Sequence, residues 1–185
     1  MTRFRRAFTL IETIIVVAIS VIMLIALTLM IYTFNNSLSY EQASAQSSGS
    51  ASTVIREVES LVLPADAVLQ SYAFSSGTYT STSTSLVLEI PSIDSSGNII
   101  ANAHDYAAFY SVGTNAYRLL QTNASSARTP GTKLLSTTLQ SLTFTYNNTN
   151  FAQVSSTTIN VQIQTSVKQN VLSDQEREQI NLRNY

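Results

Sequence analysis

The 185-residue sequence predicts an α+β fold, a long N-terminal helix laid against an antiparallel β-sheet. The first observation behind this is an uncharged stretch from Thr13 to Tyr40. Within it, residues 13–34 (TIIVVAISVIMLIALTLMIYTF) are apolar apart from four small hydroxyl residues. The second is Val54–Val62, where Val54, Val58, Leu61 and Val62 recur at helical spacing while Arg56, Glu57 and Glu59 fall on other faces. The third is a switch to a period of two beyond residue 85, cleanest where Ile159, Val161, Ile163 and Val167 alternate with Asn160, Gln162, Gln164 and Ser166.

Composition narrows the function classes. Only 11% of residues are charged, less than half the roughly 25% of ordinary soluble domains. With no Cys and a single His (His104), a disulfide framework, a thiolate zinc site, a Cys nucleophile and a multi-His centre are all excluded. Polarity comes instead from 27 Ser, 22 Thr and 13 Asn, a usage that suits a secreted or surface-exposed chain better than a cytosolic enzyme. The length allows one globular unit plus an appendage.

Taking the elements in order, Arg3, Arg5 and Arg6 flank the apolar run, and no further Lys or Arg follows until Arg56. As a helix, residues 13–34 span roughly 33 Å, the thickness of a bilayer's hydrocarbon core. Their Ser and Thr hydroxyls can bond back to backbone carbonyls, and no Gly or Pro interrupts them. This predicts a transmembrane helix with its N-terminus cytoplasmic and everything after Phe34 exported. A cleaved secretory signal is the competing reading; the run is about twice the length of a typical apolar signal region and lacks a small-residue cleavage site at its end. Glu12 stands at the head of the span, where a carboxylate costs up to about 2.5–3.5 kcal/mol if carried to the bilayer centre. On position alone it is either functional or a group resting at headgroup level.

The segment Arg5-Arg6-Ala7-Phe8-Thr9-Leu10-Ile11-Glu12, followed by a long apolar run, resembles the processing signature of type IV prepilins and pseudopilins. The resemblance implies that a prepilin peptidase/methyltransferase cuts between Ala7 and Phe8 and N-methylates Phe8; Ala7 stands where the family usually has Gly. It further implies that Glu12 compensates the positive N-terminus of a neighbouring subunit when helices bundle, a pairing that low dielectric strengthens. Other pilin or pseudopilin subunits, an inner-membrane assembly platform and the membrane are the implied partners, with no cofactor. The implied organisation is a basic leader at 1–7, a transmembrane and filament-core helix at 8–34, a stalk at 35–64 and an exported β-rich head at 65–185. Loss of residues 1–7 would leave 7 − 11 = −4 in side-chain charge, which disfavours nucleic acid as a partner.

Residues 35–53 are rich in Ser, Ala, Gln and Asn, and Gly49 is the expected weak point of a helix that would run about 55 residues and 80 Å from Phe8 to Pro64. Residues 75–85 (SSGTYTSTSTS) read as a loop. Leu86–Ile90 reads as a strand stopped by Pro91, and Asp94–Asn98 as a turn before Ile99-Ile100. Tyr106–Val112 and Ala116–Gln121 flank Gly113-Thr114-Asn115 as a hairpin. Leu142, Phe144 and Tyr146 mark another strand, and the head is expected to be one antiparallel sheet covered by the Val54–Val62 stripe. The hairpin, the segment LLSTTLQSLTFTYNN, a final strand and a tail ending Ile180-Asn181-Leu182-Arg183-Asn184 resemble the J-type minor pseudopilins of type II secretion and related minor pilins.

Enzymatic chemistry is not in view. His104 and Asp105 are sequence neighbours, which puts them on opposite faces of a strand. Asp66, Glu89, Asp94 and Asp105 lack calcium-loop spacing and read as solvated surface carboxylates, so no metal site is assigned. Phosphate-binding and nucleophile-elbow motifs are absent. Besides a filament subunit, an adhesin or DNA-uptake tip protein of the same kind of filament and an unrelated single-pass anchored surface protein remain open.

Overall fold

A computed structural model describes residues 9–168 and 170–183. The chain folds as α+β: one long N-terminal apolar helix, α1 (Leu10–Val62), packs against antiparallel β-sheets. It divides into two compact units, residues 1–42 and Ala43–Tyr185, and α1 contributes to both.

In the first unit the apolar side chains of α1 face outward from Leu10 to Phe34, and the helix is long and apolar enough to cross a membrane. All four hydroxyl residues of this stretch bond back to the preceding turn: Thr13 to the Leu10 carbonyl at 2.7 Å, Ser20 to Val16 and Thr28 to Leu24 at 2.8 Å, and Thr33 to Met30 at 2.9 Å. Each hydroxyl is thereby satisfied without water, as hydrocarbon requires.

In the second unit the helical stripe is buried as its spacing predicts, with Ala51, Val54, Ile55, Val58, Leu61 and Val62 in the main core. Gly49 does not break the helix. The helix ends at Val62, just before Pro64. Among the described residues ten strands follow: β1 (Ala67–Val68), β2 (Ser71–Phe74), β3 (Gly77–Thr80), β4 (Leu86–Ile93), β5 (Ile99–Val112), β6 (Asn115–Gln121), β7 (Gly131–Ser136), β8 (Leu139–Tyr146), β9 (Ser156–Val167) and β10 (Asn170–Asn181). They form a five-stranded sheet of order β1-β4-β5-β6-β7, a three-stranded sheet β10-β9-β8, and the β2-β3 hairpin.

Several expectations need correction. The described residues of the second unit form three sheets rather than one, because the core has three sides. Leu86, Leu88, Ile90, Ala107, Phe109 and Leu120 of the five-stranded sheet meet Leu142, Phe144, Ile159, Val161 and Ile163 of the three-stranded sheet, and α1 closes the third side. The outer face of the five-stranded sheet is covered by the hairpin through Phe74, Val87, Ala108 and Leu119. Residues 75–85 are not all loop: Gly77, at φ 141°, turns the chain into β3, and Tyr79 packs on the sheet. Pro91 does not stop β4, because the register shifts between Pro91 and Ile93 and such an irregularity accommodates a residue without an N–H. Ile99-Ile100 and Tyr106–Val112 belong to one 14-residue strand. The tail after Val167 carries a twelve-residue strand, β10, paired along its whole length with β9.

Other expectations hold. The β5-β6 hairpin turns at Gly113-Thr114 with Gly113 at φ 60°, and Asp94 closes its turn by accepting from the N–H groups of Ser96 at 2.8 Å and Asn98 at 2.9 Å. On β9, Ile159, Val161, Ile163 and Val167 are buried.

Candidate functional site

The chemistry-bearing residues of the N-terminal segment begin at the first turn of α1. Glu12 donates its N–H to the Thr9 carbonyl at 3.0 Å, and Thr13 donates to the same carbonyl at 3.2 Å. Its carboxylate lies in the first helical turn, where the unpaired N–H groups and the macrodipole favour negative charge. The side chain is exposed, and no charge of either sign occurs between Glu12 and Glu41. Ala7 and Phe8 lie outside the described residues. Glu12 is therefore the single charged side chain of α1 from Leu10 to Tyr40, exposed to a cation brought by another molecule.

In the second unit several charged groups pair with one another. Asp105, fully buried on β5, gathers four donors: the Ser92 and Ser126 hydroxyls at 2.7 Å, the Asn123 N–H at 2.9 Å and the Arg128 guanidinium at 2.7 Å. Burial pushes its pKa up, but those hydrogen bonds outweigh burial and hold the carboxyl below its ordinary value. The reading of Asp105 as a solvated surface carboxylate is thus overturned. Its partner Arg128 lies in the segment between β6 and β7, and also donates to the Pro91 carbonyl at 2.6 Å.

His104, on the opposite face of β5, stands between two carboxylates, with Nε2 3.5 Å from Asp66 and Nδ1 3.4 Å from Glu89. Glu57 of α1 pairs with Arg118 of β6, and its second oxygen lies 2.7 Å from Lys133 of β7. Sequence reading missed the Asp105–Arg128 and Glu57–Arg118–Lys133 groupings, because each joins segments far apart in the chain and has no local spacing to reveal it.

Aromatic rings form a third grouping. Tyr72 stacks on Tyr106 at 3.7 Å between centroids, Tyr79 meets Tyr110 at 4.8 Å, and Tyr110 stacks on Tyr117 at 5.5 Å. Burial and then the hydrogen bond with Tyr79 push the Tyr110 phenol up to about 12, so it stays a neutral donor. Tyr146 donates to the carbonyls of Thr82 at 2.9 Å and Ser85 at 2.8 Å, fastening the hydroxyl-rich loop to β8. Among the described residues no group of three or more His, Asp or Glu side chains is placed to hold a metal ion.

Residues 2–28 match the family model of the prokaryotic N-terminal methylation motif. No curated protein and no solved structure matches the chain. The match identifies a prepilin signature of the type IV pilin kind and supports a subunit of the pilin or pseudopilin type. Such subunits are structural proteins that assemble with other pilin subunits, and the apolar helix fits anchoring in a membrane.

Proposed function

We propose that the chain is a structural subunit, a minor pseudopilin or minor pilin, of a type II secretion pseudopilus or a type IV pilus. The observation that carries this reading is the methylation motif at residues 2–28, whose apolar helix exposes its side chains from Leu10 to Phe34. The place near the J-type minor pseudopilins rests on the sequence resemblance of the hairpin FYSVGTNAYRLLQ, the segment LLSTTLQSLTFTYNN and the tail ending Ile180-Asn181-Leu182-Arg183-Asn184. Residues 1–7 are a leader removed between Ala7 and Phe8 on the cytoplasmic side of the inner membrane, and Phe8 becomes the N-methylated first residue. Residues 8–34 form the membrane and filament-core helix, 35–64 its stalk, and 65–185 the exported head.

Glu12 pairs with the N-terminal ammonium of a neighbouring subunit. Leaving either charge unpaired in an apolar bundle costs several kcal/mol, so the pair reports docking and register. The partners are other subunits, the prepilin peptidase/methyltransferase and the assembly platform. The test is Glu12→Ala: it should insert in the membrane at normal levels yet be lost from sheared filaments or cross-linked pseudopilus fractions. Incorporation at wild-type levels would remove Glu12 from the assembly mechanism.

A further inference from the structure

Where two turns of the second unit meet the end of β9, they frame a cavity of about 340 Å³. Thr114 of the β5-β6 turn, Thr137 and Thr138 between β7 and β8, and Gln164 and Ser166 of β9 line it, and buried Leu139 supplies an apolar wall. The opening exists because β9 outruns its neighbour: Leu139 pairs with Ile163, so residues 164–167 continue past the start of β8. Backbone hydrogen bonds fix the walls, from the Leu139 N–H to the Thr114 carbonyl at 2.8 Å and from the Gln164 N–H to the Thr138 carbonyl at 2.9 Å. The side chains are not so engaged. Thr165 meets the Ser47 hydroxyl at 2.8 Å, but the hydroxyls of Thr114, Thr137, Thr138 and Ser166 and the Gln164 amide make no hydrogen bond among the described residues. Elsewhere on this face of β9 the polar groups are paired. Gln162 accepts from Ser141 at 3.4 Å and donates to Ser173 at 3.1 Å, and Asn160 accepts from Gln175 at 2.9 Å. The unpaired groups thus gather where the cavity opens, and none of the lining residues is charged.

We propose that this cavity binds a neutral polyhydroxylated ligand, a sugar unit. The chemistry of the lining selects it. An ion entering the cavity would give up hydration with no opposite charge to meet it. An apolar ligand would shut the unpaired hydroxyls and amide away from water, each at a cost. A sugar escapes both penalties. Every Thr or Ser hydroxyl both donates and accepts, as a sugar hydroxyl does, and a Gln amide offers a donor and an acceptor side by side to two neighbouring hydroxyls. Leu139 meets the C–H surface of the ring. Because the walls are held by backbone bonds before anything binds, little ordering is charged against the affinity. A free saccharide and a unit within a glycan present the same hydroxyls, so they are separated by experiment. The cavity lies wholly in the second unit and serves this role whatever filament the N-terminal helix joins.

The full chain, isotope-labelled and purified in a zwitterionic detergent that has no sugar headgroup, is titrated with glucose, N-acetylglucosamine, maltotriose and chitotriose, with glucuronate as the charged control. Backbone amide resonances of Thr138, Leu139, Gln164 and Ser166 should shift saturably. Saturation by the single sugars identifies a free saccharide as sufficient, and saturation by the trisaccharides alone identifies a unit within a glycan; either supports the site. Gln164→Leu should weaken binding about tenfold, the scale of one lost hydrogen bond. Gln162→Leu, which removes an amide that is already paired, should leave binding unchanged. Circular dichroism of each variant verifies the fold. Absence of a saturable shift with every neutral sugar, glucuronate binding as tightly as glucose, or wild-type affinity in a folded Gln164→Leu protein would each overturn the proposal.

Discussion

At the residue scale, buried charge gives the sharpest energetics. Asp105 is fully buried, and the Arg128 guanidinium is its only cationic partner among four donors. Removing one member of a buried ion pair costs about 3–5 kcal/mol, because the remaining charge stays in low dielectric. Arg128→Ala should therefore destabilise the folded chain by about that amount in chemical denaturation at neutral pH. The pH dependence follows from the lowered folded pKa. Asp105 contributes stability in full above its unfolded value near 3.8 and loses that contribution as pH falls through the lowered folded value. In Arg128→Ala the loss relative to wild type should shrink on acidification, since a protonated Asp105 no longer needs the cation.

Glu178 has the opposite sign. Burial first, then Glu59 and Glu176, raises its pKa, so its ionised form weakens the fold at neutral pH. That cost fades as pH falls through the raised folded value and is gone below the unfolded value of 4.5. Because the group is screened by solvent, Glu178→Gln should stabilise by only about 0.5 kcal/mol near neutrality and by nothing in acid, read as the difference between denaturation midpoints.

At the element scale, the core meets three elements at Phe109, whose ring is fully buried between the sheets and α1. Phe109→Ala should cost about 3–5 kcal/mol, the transfer term plus the cavity, measured by denaturation of a variant that keeps its strand signature. This core was largely legible beforehand: Val54–Val62 and the alternation on β9 bury the residues their periods select. What escaped reading shows where periodicity fails. β10 carries Asp174, Glu176 and Glu178 at the alternate positions where a core strand would carry apolar groups, so it looked like a tail. β3 is written in Gly, Thr and Tyr inside a hydroxyl-rich stretch, and only Tyr79 packing on the sheet distinguishes it from loop. Asp105 and Asp94 look alike in sequence, yet one is fully buried and the other closes an exposed turn, because burial depends on which strand pairs beside them.

At the scale of the whole molecule, charge and hydropathy divide the labour. From Leu10 to Tyr40 the helix places a neutral apolar surface around one carboxylate, Glu12, while the second unit uses ion pairs to hold its elements together. The low charge content follows from this: the helix must avoid charge, and the head meets water with Ser, Thr, Asn and Gln. The near-zero formal charge of −1 averages three N-terminal Arg against an acidic remainder. If residues 1–7 are removed, the remaining chain is acidic, and it should show no salt-dependent retention on DNA at moderate ionic strength.

The central claim is that the N-terminus is a processed prepilin leader, and the most direct measurement is the intact mass and N-terminal sequence of the chain recovered from its native membrane. The account requires a chain that begins at Phe8, carries one added methyl group on its amino terminus and lacks residues 1–7. A chain that still begins at Met1, or one cut after the apolar run near Ser37, would contradict it.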